Sequence, residues 1–518
     1  MLIPRRFAAL WLLLAAACTS PSQGPDPAPQ TTPPLQHLIV LHTNDVHGQV
    51  LPLTATWVKD QDPKPTVGGI ERVARYIQKV RAEAAEQGAE VLVVDAGDWF
   101  QGTPEGGVEQ GRAYLRLLQQ VGYDAMCVGN HEFDHGVGVL LDHLRAVPLP
   151  AVLSNVREAD GSFLAGTSPI LTLQRAGLRV GILGLCTTET PSITHPSAST
   201  LVWNDPAQTV AAFELEFADQ VDWFLPLTHL GIETDQVLAE AHPELPLILG
   251  GHSHTLLPAG KNHGPVLICQ TGSKGRGIGR VDVWVDPAKR APVLLQAKVV
   301  DLFEGELEGT AVPALSAACR ALVQQTEAEM EIVVGQNPVA LHRSGGLGQS
   351  SALGNWITDA MRLQGRGDCA MQNGGGIRAD LDAGPVTVRD LFSVLPFENS
   401  LVTLTMTGAE IDAVLRENFE GKDPKHLEVS GLRLTLQKSD GGLRLASIEI
   451  DGAPLDPARS YRLVTNSFMA GGGGGFAGLQ HVREREAGVS LQRDTMRAWL
   501  EALGTVEATG EDRYVWLP

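Results

Sequence analysis

The sequence predicts an α/β protein with two domains, and three observations support this prediction. The chain has 518 residues, more than a single hydrophobic core usually serves. From His37 to about Val300, apolar runs of strand length alternate with segments of helical periodicity, as in layered α/β folds. From Asn337 onward the same alternation continues to the end of the chain, so a second α/β domain is expected there.

The composition and net charge of the chain limit the kinds of molecule that it can bind. Hydrophobic residues make up 43% of the chain and charged residues 19%, which is typical of a soluble globular protein. The net charge of −20 excludes nucleic acid polymers as partners, because no basic field is available to attract a phosphate chain. A small phosphorylated substrate would need metal ions and a few local arginines to bind against this background.

Residues 1–18 are predicted to be an export signal peptide. Two basic residues, Arg5 and Arg6, precede an apolar segment at 7–17 that is too short to span a bilayer. The segment LAAAC, ending at Cys18, resembles a bacterial lipobox and predicts lipidation of Cys18, with the protein anchored in the periplasm or cell envelope. Ala15 stands where leucine is usual, so a plain secretory signal is the alternative. Residues 19–36 are predicted to be a flexible tether because their first part is rich in proline, serine and threonine.

Five short segments each place metal-binding side chains just after an apolar run. The runs (38–41, 91–94, 125–128, 223–227 and 245–249) have the length and composition of strands. The carboxyl ends of strands in an α/β sheet open onto a common crevice, so these side chains are expected to converge. The segments are NDVHG (44–48), GDWFQGT (97–103), GNHEFD (129–134), LTHLG (227–231) and GGHSH (250–254).

The residue types predict a first metal ion and a bridge to a second one. Asp45 and His47, two residues apart on one turn, can both reach the first ion, and His254 can return to it. Asp98 can bridge two ions because a carboxylate has two oxygens to share. Two cations about 3.5–4 Å apart activate a water molecule and neutralise charge on a phosphoryl group. This pattern indicates a two-metal hydrolase.

The remaining ligands suit the second ion. Asn130, His229 and His252 offer the oxygen and nitrogen atoms that borderline divalent cations accept. Such a ligand set is compatible with zinc, manganese, cobalt or iron, so the sequence leaves the identity of the two divalent metal ions open. A single histidine near a strand end is more often structural, but all five segments in order make coincidence a poor explanation.

His131 is predicted to be catalytic rather than a ligand. Asp134, three residues later, can orient the His131 ring, which could then hydrogen-bond or protonate the leaving oxygen. Three nearby polar residues, His42, His135 and Asp95, are interpreted as structural.

Together with four segments in the second half, these motifs resemble the 5′-nucleotidase family of calcineurin-like metallophosphoesterases, in its bacterial UDP-sugar hydrolase/5′-nucleotidase form. The resemblance implies a metallophosphoesterase β-sandwich flanked by helices at 37–311 and an α/β substrate-binding domain at 337–518. Helical spacing at 312–330 predicts an interdomain helix within a linker at 312–336. The four segments are LGNWITDAM (353–361), NGGGIRADL (373–381), LPFEN (395–399) and TNSFMAGGGGGF (465–476).

The resemblance also implies substrate-binding residues. In that family an arginine of the GGIR motif contacts the phosphate and two aromatic rings sandwich the base. The matching arginine here is Arg378, the rings are Phe397 and Phe468, and Asn399 lies near the ring edge. Asn373, which opens the NGGGIR motif, is included in the predicted substrate site.

Two departures from the family pattern weaken the prediction of nucleotide specificity. The family has an aspartate for the ribose hydroxyls in its last glycine loop, where this chain has Gly474. The family also tends to have an arginine upstream of LGN, but the stretch 344–352 has none, and only Arg343 or Arg366 could substitute.

The sequence therefore predicts an exported, metal-dependent phosphohydrolase that resembles 5′-nucleotidases. Alternatives within the enzyme class are a 2′,3′-cyclic-nucleotide phosphodiesterase/3′-nucleotidase or a UDP-sugar hydrolase. A non-catalytic surface lipoprotein on the same scaffold is a remote alternative, because none of the predicted metal ligands is missing.

Overall fold

The computed structural model describes residues 34–307, 310–343, 346–397, 399–439, 442–482 and 484–517. The predicted lipidation site Cys18, and the tether up to residue 33, lie outside the described residues. Within these ranges, no helix combines the length and the apolar character needed to cross a bilayer.

The first half of the chain alternates strands and helices, as its sequence predicts. Its strands are β1 (Gln36–Thr43), β2 (Leu53–Thr54), β3 (Thr66–Val67), β4 (Glu90–Asp95), β5 (Ala125–Cys127), β6 (Ala151–Val152), β7 (Val156–Arg157), β8 (Leu171–Arg175), β9 (Leu178–Cys186), β10 (Val202–Trp203), β11 (Trp223–His229), β12 (Leu247–Gly250), β13 (Lys261–His263), β14 (Val266–Cys269), β15 (Gly277–Asp286) and β16 (Ala291–Asp301). Its helices are α1 (Ile70–Gln87), α2 (Pro104–Gly107), α3 (Arg112–Val121), α4 (Val137–Ala146), α5 (Thr190–Ile193), α6 (Pro206–Glu216) and α7 (Ile232–Ala241).

Two six-stranded sheets pack face to face in this half. Their strand orders are β16-β15-β1-β4-β5-β6 and β13-β14-β12-β11-β9-β8. Apolar side chains from both sheets, such as Val40 and Leu92 from one and Ile182 and Leu225 from the other, form one buried core between them. Helices cover the outer faces, so the architecture is the predicted β-sandwich flanked by helices.

The strands that precede the predicted ligands belong to both sheets. Strands β1, β4 and β5 lie in the first sheet, and β11 and β12 lie in the second. The sequence predicts ligands at the end of one sheet, and this prediction is wrong, because an apolar run indicates burial but does not show which of two packed sheets a strand joins.

Helix α1 shows how the sequence determines a flanking helix. Its buried side chains recur at intervals of three or four residues, so one stripe faces the first sheet. The helix ends at Gly88, whose φ of 68° is the left-handed conformation that glycine adopts without strain. The stripe includes Ile70, Val73, Ile77, Val80 and Ala84.

Helix α8 (Pro313–Met330) leads into the second half of the chain. The strands there are β17 (Val333–Asn337), β18 (Cys369–Asn373), β19 (Gly384–Thr387), β20 (Ser400–Thr407), β21 (Leu427–Ser430), β22 (Leu432–Ser439), β23 (Gly442–Ile450), β24 (Ala453–Pro454), β25 (Ser460–Asn466), β26 (Arg485–Leu491) and β27 (Tyr514–Leu517). The helices are α9 (Ala352–Gln364), α10 (Val388–Val394), α11 (Gly408–Phe419), α12 (Ser467–Ala470) and α13 (Gln492–Leu503).

A five-stranded sheet, in the order β21-β18-β25-β20-β26, separates two cores in this half. Met371 and Leu463 point into one core, and their neighbours Ala370 and Val464 point into the other. The apolar side chains of β18 and β25 are therefore buried on both faces of the sheet. Two loops predicted to bind substrate lie beyond these strands: NGGGIR begins at the last residue of β18, and the glycine-rich run at 470–476 follows β25 and begins at the last residue of α12.

Candidate active site

Five of the seven predicted metal ligands lie in loops after strand ends and have a left-handed backbone conformation. Asp45, His47, Asp98, His252 and His254 all have positive φ values, between 48° and 76°. They account for five of the twelve described non-glycine residues with positive φ. Such backbone conformations are uncommon for residues other than glycine, although Asp and His adopt them more often than most, and they persist where the surrounding structure imposes them, often at functional sites.

The predicted ligand atoms converge in two groups, and His131 forms a third group with His47 and Asp98. Candidate donor atoms of Asp45, His47 and His254 lie within 4.8 Å of one another, and so do those of Asp98, His229 and His252. The His47 Nε2 atom is 4.0 Å from Asp98 Oδ2, which connects the two groups through Asp98. This arrangement is the one expected if Asp98 bridges two ions.

Asn130 completes the second group. Its Oδ1 atom lies 2.8 Å from His252 Nδ1 and 3.2 Å from His229 Nε2. The His229 Nδ1 atom donates to the carbonyl oxygen of Ala96 at 2.8 Å, so in neutral His229 the Nε2 atom has a free lone pair. That lone pair faces Asp98 Oδ2, at 3.0 Å, as well as Asn130 Oδ1.

The first group also brings donor atoms together. The His47 Nδ1 atom donates to the carbonyl oxygen of Gln101 at 2.7 Å, which leaves a lone pair on Nε2, 2.8 Å from His254 Nε2. His254 Nε2 is in turn 3.3 Å from the Asp45 carboxylate, and backbone carbonyls commonly orient metal-ligating histidines as Gln101 orients His47. The residues present therefore fit two divalent cations.

The pKa of His229 also favours a positive charge at this site. Burial disfavours the imidazolium, but the Asp98 carboxylate outweighs burial and raises the pKa of His229 to about 10. A positive charge therefore belongs at this nitrogen, whether a proton or a metal ion supplies it.

Glu132 holds the Asp98 turn in place, a role that the sequence analysis missed. Its buried carboxylate accepts hydrogen bonds from the backbone N–H groups of Asp98, Trp99 and Gly129, at 2.7–3.0 Å. Burial and the nearby Asp98 raise the pKa of Glu132 to about 8. One side chain thus joins the Asp98 turn to the GNHE segment. The position of Glu132 in that segment, two residues after Asn130, was the only available sequence signal.

His131 lies at the edge of the metal site. Its Nδ1 atom donates to Asp134 Oδ2 at 2.6 Å, and its backbone N–H donates to Asp98 Oδ1 at 3.0 Å. Burial is outweighed by Asp134 and Asp98, which raise the pKa of His131 to about 9. The His131 ring is nearly parallel to the Phe397 ring, with centroids 5.8 Å apart, so the second half of the chain contacts the catalytic centre here.

A cavity of about 380 Å³ opens over these residues. Its walls come from both halves of the chain, with Lys274 on one side and Pro396 on the other. Asp45 and His229 are fully buried behind it. The predicted site residues that line it are His47, Asp98, Asn130, His131, His252, His254, Arg378 and Phe397.

The other predicted substrate residues lie in the second half. A Cβ added to Gly474 would meet the Phe468 ring at 3.2 Å and Asn373 Cβ at 3.9 Å, so these three residues adjoin. Arg343 donates to the carbonyl oxygens of Ile377 and Arg378, at 3.3 Å each. Asn399 Oδ1 accepts a long hydrogen bond, of 3.4 Å, from the hydroxyl of Ser467 beside Phe468.

A buried amide network determines which atom Asn373 presents to the site. The backbone N–H of Met469 donates to Asn466 Oδ1 at 2.8 Å, so Asn466 Nδ2 must face the opposite way, where it donates to Asn373 Oδ1 at 3.0 Å. Gln372 Nε2 also donates to this oxygen, at 3.2 Å. The Asn373 Nδ2 donor therefore points outward, towards the exposed Gly375.

Comparison with known proteins agrees with this arrangement. Residues 38–256 match the calcineurin-like phosphoesterase family, and residues 333–481 match the 5′-nucleotidase C-terminal domain. The crystal structure of a 5′-nucleotidase precursor from Thermus thermophilus is similar, with a TM-score of 0.79 and 32% identity over 93% of this chain and 99% of that one.

Two curated relatives extend the comparison. A 5′-nucleotidase from Diplobatis ommata is 27% identical, and the match covers 93% of this chain and 90% of the relative. The trifunctional nucleotide phosphoesterase protein YfkN of Bacillus subtilis is 28% identical over 93% of this chain. The match covers only 35% of that relative, so this chain spans about a third of its length.

The fold and the convergent ligands define a metal-dependent phosphoester hydrolase. The chain belongs to the 5′-nucleotidase family, with a calcineurin-like phosphoesterase domain followed by a 5′-nucleotidase C-terminal domain. The family resemblance, the fold class and the enzyme class that the sequence predicts are therefore confirmed.

Proposed function

We propose that this enzyme removes phosphate from nucleotides with the help of two divalent metal ions, as a 5′-nucleotidase. The observation that supports this most strongly is the convergence of the two ligand groups on Asp98. Membership of the 5′-nucleotidase family supports nucleotides as the substrate class.

The chain's own residues divide into three roles in this proposal. Asp45, His47 and His254 would hold the first ion, Asp98 would be shared, and Asn130, His229 and His252 would hold the second. When bound, two such ions activate water and neutralise the charge that develops on the phosphoryl group. The predicted ligands would thus bind the ions, and the left-handed backbone of five of them would hold their donor atoms in place.

His131 assists the departure of the leaving oxygen. Its Nδ1 proton is engaged by Asp134, so its Nε2 atom is the one available to the substrate. The parallel Phe397 ring restricts the His131 ring to one orientation. Geometry thus supports the role that the sequence predicts for this pair.

The second half of the chain holds the organic part of the substrate. Arg378 and Phe397 line the metal cavity itself, whereas Asn373 and Phe468 adjoin the glycine-rich loop further out. A nucleotide with its phosphate at the metals would extend from Arg378 towards Phe468. Asn399 would lie beside this path, because it accepts a hydrogen bond from Ser467 next to Phe468. Arg343 would also lie beside it, because it donates to the carbonyl oxygen of Arg378.

A hydrolysis panel tests the proposal directly. Purified protein with added manganese should release phosphate from 5′-nucleotides faster than from 3′-nucleotides, 2′,3′-cyclic nucleotides or UDP-sugars. A preference for cyclic nucleotides or for UDP-sugars would replace the 5′-nucleotidase assignment with one of those alternatives. Metal analysis of the same sample should give two ions per chain, and a single ion would contradict the dinuclear site.

We also propose export and lipid anchoring at Cys18, on the basis of the signal-like residues 1–18. Expression in a bacterial host with radiolabelled palmitate should label the wild-type protein but not Cys18→Ser. Equal labelling of both proteins, or a cytoplasmic location of the wild type, would contradict the anchor.

A further inference from the structure

The metal cavity has a cation on each of two facing walls. Lys274 comes from the loop between β14 and β15 in the first half, and Arg378 comes from the loop after β18 in the second half. Among the described residues, neither side chain has a carboxylate within ion-pair distance. Like charges that face one another without a counterion are unfavourable, so this arrangement favours an anion between them.

Backbone geometry holds Lys274 at this wall. Its φ is 59°, which is rare for lysine, and its N–H donates to the carbonyl oxygen of the predicted ligand Asp45 at 2.7 Å. The Lys274 loop is therefore fixed to the same turn that presents Asp45 to the first metal position. Burial, with Arg378 and then Arg343 nearby, lowers the pKa of Lys274, which shows that these cations affect one another.

A transferred phosphoryl group has three non-bridging oxygens and one leaving oxygen. In the proposed function, the two metal ions and His131 would bind these oxygens. Lys274 and Arg378, which line the same cavity, would then be available to the group joined to the leaving oxygen. A group that uses two cations is itself anionic.

We propose that Lys274, together with Arg378, binds a second phosphoryl group joined to the one that is transferred. Lys274 is then a specificity-determining residue that favours nucleoside di- and triphosphates over monophosphates. This inference rests on the proposed function, because it assumes phosphoryl binding at the two metal positions.

Binding measurements separate this role from that of a solvated surface lysine. Calorimetry on manganese-loaded protein compares inorganic phosphate with methylenediphosphonate, a pyrophosphate analogue that is not hydrolysed. Wild type should bind methylenediphosphonate at least about tenfold more tightly than phosphate. In Lys274→Met, methylenediphosphonate should bind about 10- to 150-fold more weakly, the range for one charge-assisted hydrogen bond, and phosphate less than about threefold more weakly.

Two further variants make the result specific. Lys274→Arg restores the charge and should keep the affinity for methylenediphosphonate within about fivefold of wild type. Lys261→Met removes an exposed lysine of the same domain, whose Nζ donates to Gln236 at 3.3 Å, and should bind both ligands as wild type does. Equal weakening of both ligands in Lys274→Met, or no weakening of either, would overturn the proposal.

Kinetics on nucleotides give a second readout. The ratio of kcat/KM for ADP to that for AMP should fall in Lys274→Met by the same factor as the calorimetric affinity. If wild type hydrolyses p-nitrophenyl phosphate but no nucleotide, the proposed nucleotidase function fails, whereas the calorimetric comparison still supports or overturns the role of Lys274.

Discussion

Asp98 is the residue on which both ligand groups depend. Its carboxylate is buried, lies 3.0 Å from His229 and 4.0 Å from His47, and accepts the backbone N–H of His131. A carboxamide at this position keeps one oxygen but loses the charge and the second oxygen that a bridge requires.

Asp98→Asn is therefore expected to lower kcat/KM by more than the roughly 10- to 100-fold loss typical of residues that only support a ligand. Metal analysis should show fewer than two tightly held ions, while circular dichroism shows a native fold. Asp142→Asn, which changes an exposed carboxylate paired with Arg145, is the matched control. Two retained ions with near-normal turnover would rule out the bridging role.

His131→Ala tests catalysis apart from metal binding. Loss of acid–base assistance should reduce kcat by about 10²–10⁴ with both ions retained. The reduction should be smaller with p-nitrophenyl phosphate, because nitrophenolate leaves without a proton. Parallel kinetics on this ester and on AMP provide the measurement, and equal losses on the two substrates would contradict the assignment.

Asn466→Asp is expected to reverse the Asn373 amide. The new carboxylate still accepts the Met469 N–H. Its second oxygen, however, then faces the oxygen atoms Asn373 Oδ1 and Gln372 Oε1, and hydrogen-bond acceptors repel one another. Asn373 must then turn its Nδ2 inward and present an oxygen to the substrate. KM for nucleotides should rise about tenfold, the effect of one lost hydrogen bond and one repulsive contact, with little change for p-nitrophenyl phosphate.

Asn466→Ser separates this reversal from the mere loss of the Asn466 amide. Serine also caps the start of α12, as aspartate does, but it neither orients nor repels Asn373. If Asn466→Ser raises KM as much as Asn466→Asp does, loss of the amide is sufficient and the reversal of Asn373 is not the cause.

The metal site was predictable from sequence because its chemistry is local. A residue such as His229 ends its strand, so an apolar run and a histidine suffice to place it. Lys274 and Asn466 were not predictable in this way. Lys274 lies at the site because the backbone of its loop hydrogen-bonds to Asp45. Asn466 acts only through its hydrogen bond to the Asn373 amide. Neither contact produces a periodic pattern in the sequence.

Among the elements, the glycine-rich loop at 470–476 is the one that the family resemblance places at the sugar. Gly474 has a φ of 70°, and Phe468 packs close to it. The loop therefore offers no carboxylate to ribose hydroxyls in the part that the structure describes. Native kcat/KM for ribo- and 2′-deoxyribonucleotides should differ by less than about tenfold, since one charge-assisted hydrogen bond would give more than that.

Gly474→Asp should introduce the missing acceptor. Aspartate tolerates the left-handed region better than most residues, but its Cβ would lie 3.2 Å from the Phe468 ring, so that ring must shift slightly. We expect kcat/KM for AMP to rise relative to dAMP by about tenfold or more. Gly474→Ala, which adds the Cβ without the carboxylate, should leave this ratio unchanged. The same rise in Gly474→Ala would show that ring displacement, not the carboxylate, causes the effect.

At the scale of elements, the sequence located strands and helices better than their assembly. The helical spacing at 312–330 corresponds to α8 (Pro313–Met330), and the apolar runs before the ligands are strands. The division of β1, β4 and β5 from β11 and β12 into two sheets depends on pairing between distant segments. Only the family resemblance, and not periodicity, indicated a sandwich.

In the whole molecule, residues from both halves of the chain line the active-site cavity. Phe397 lies on His131, and buried Glu105 of the first half lies 3.5 Å from Arg389 of the second. Helix α8 contributes Leu315 and Cys319 to the core of the first half and Met330 to a core of the second. The metal cavity therefore exists only when the two halves are docked as described.

Metal binding should also stabilise the first half of the chain, because the ligands converge only in the folded state. A ligand that binds only the native protein adds about 2.7 kcal/mol of stability at 100 times its Kd, and each kcal/mol raises Tm by about 2–4 °C in a domain of this size. Chelation with EDTA should therefore lower the first unfolding transition by about 5 °C or more in scanning calorimetry. In Asp98→Asn, EDTA should lower the Tm of this transition much less. In the wild type, EDTA should not change the Tm of the second half. An unchanged Tm after complete removal of metal, verified by elemental analysis, would mean that the two ligand groups do not bind ions tightly in the native protein.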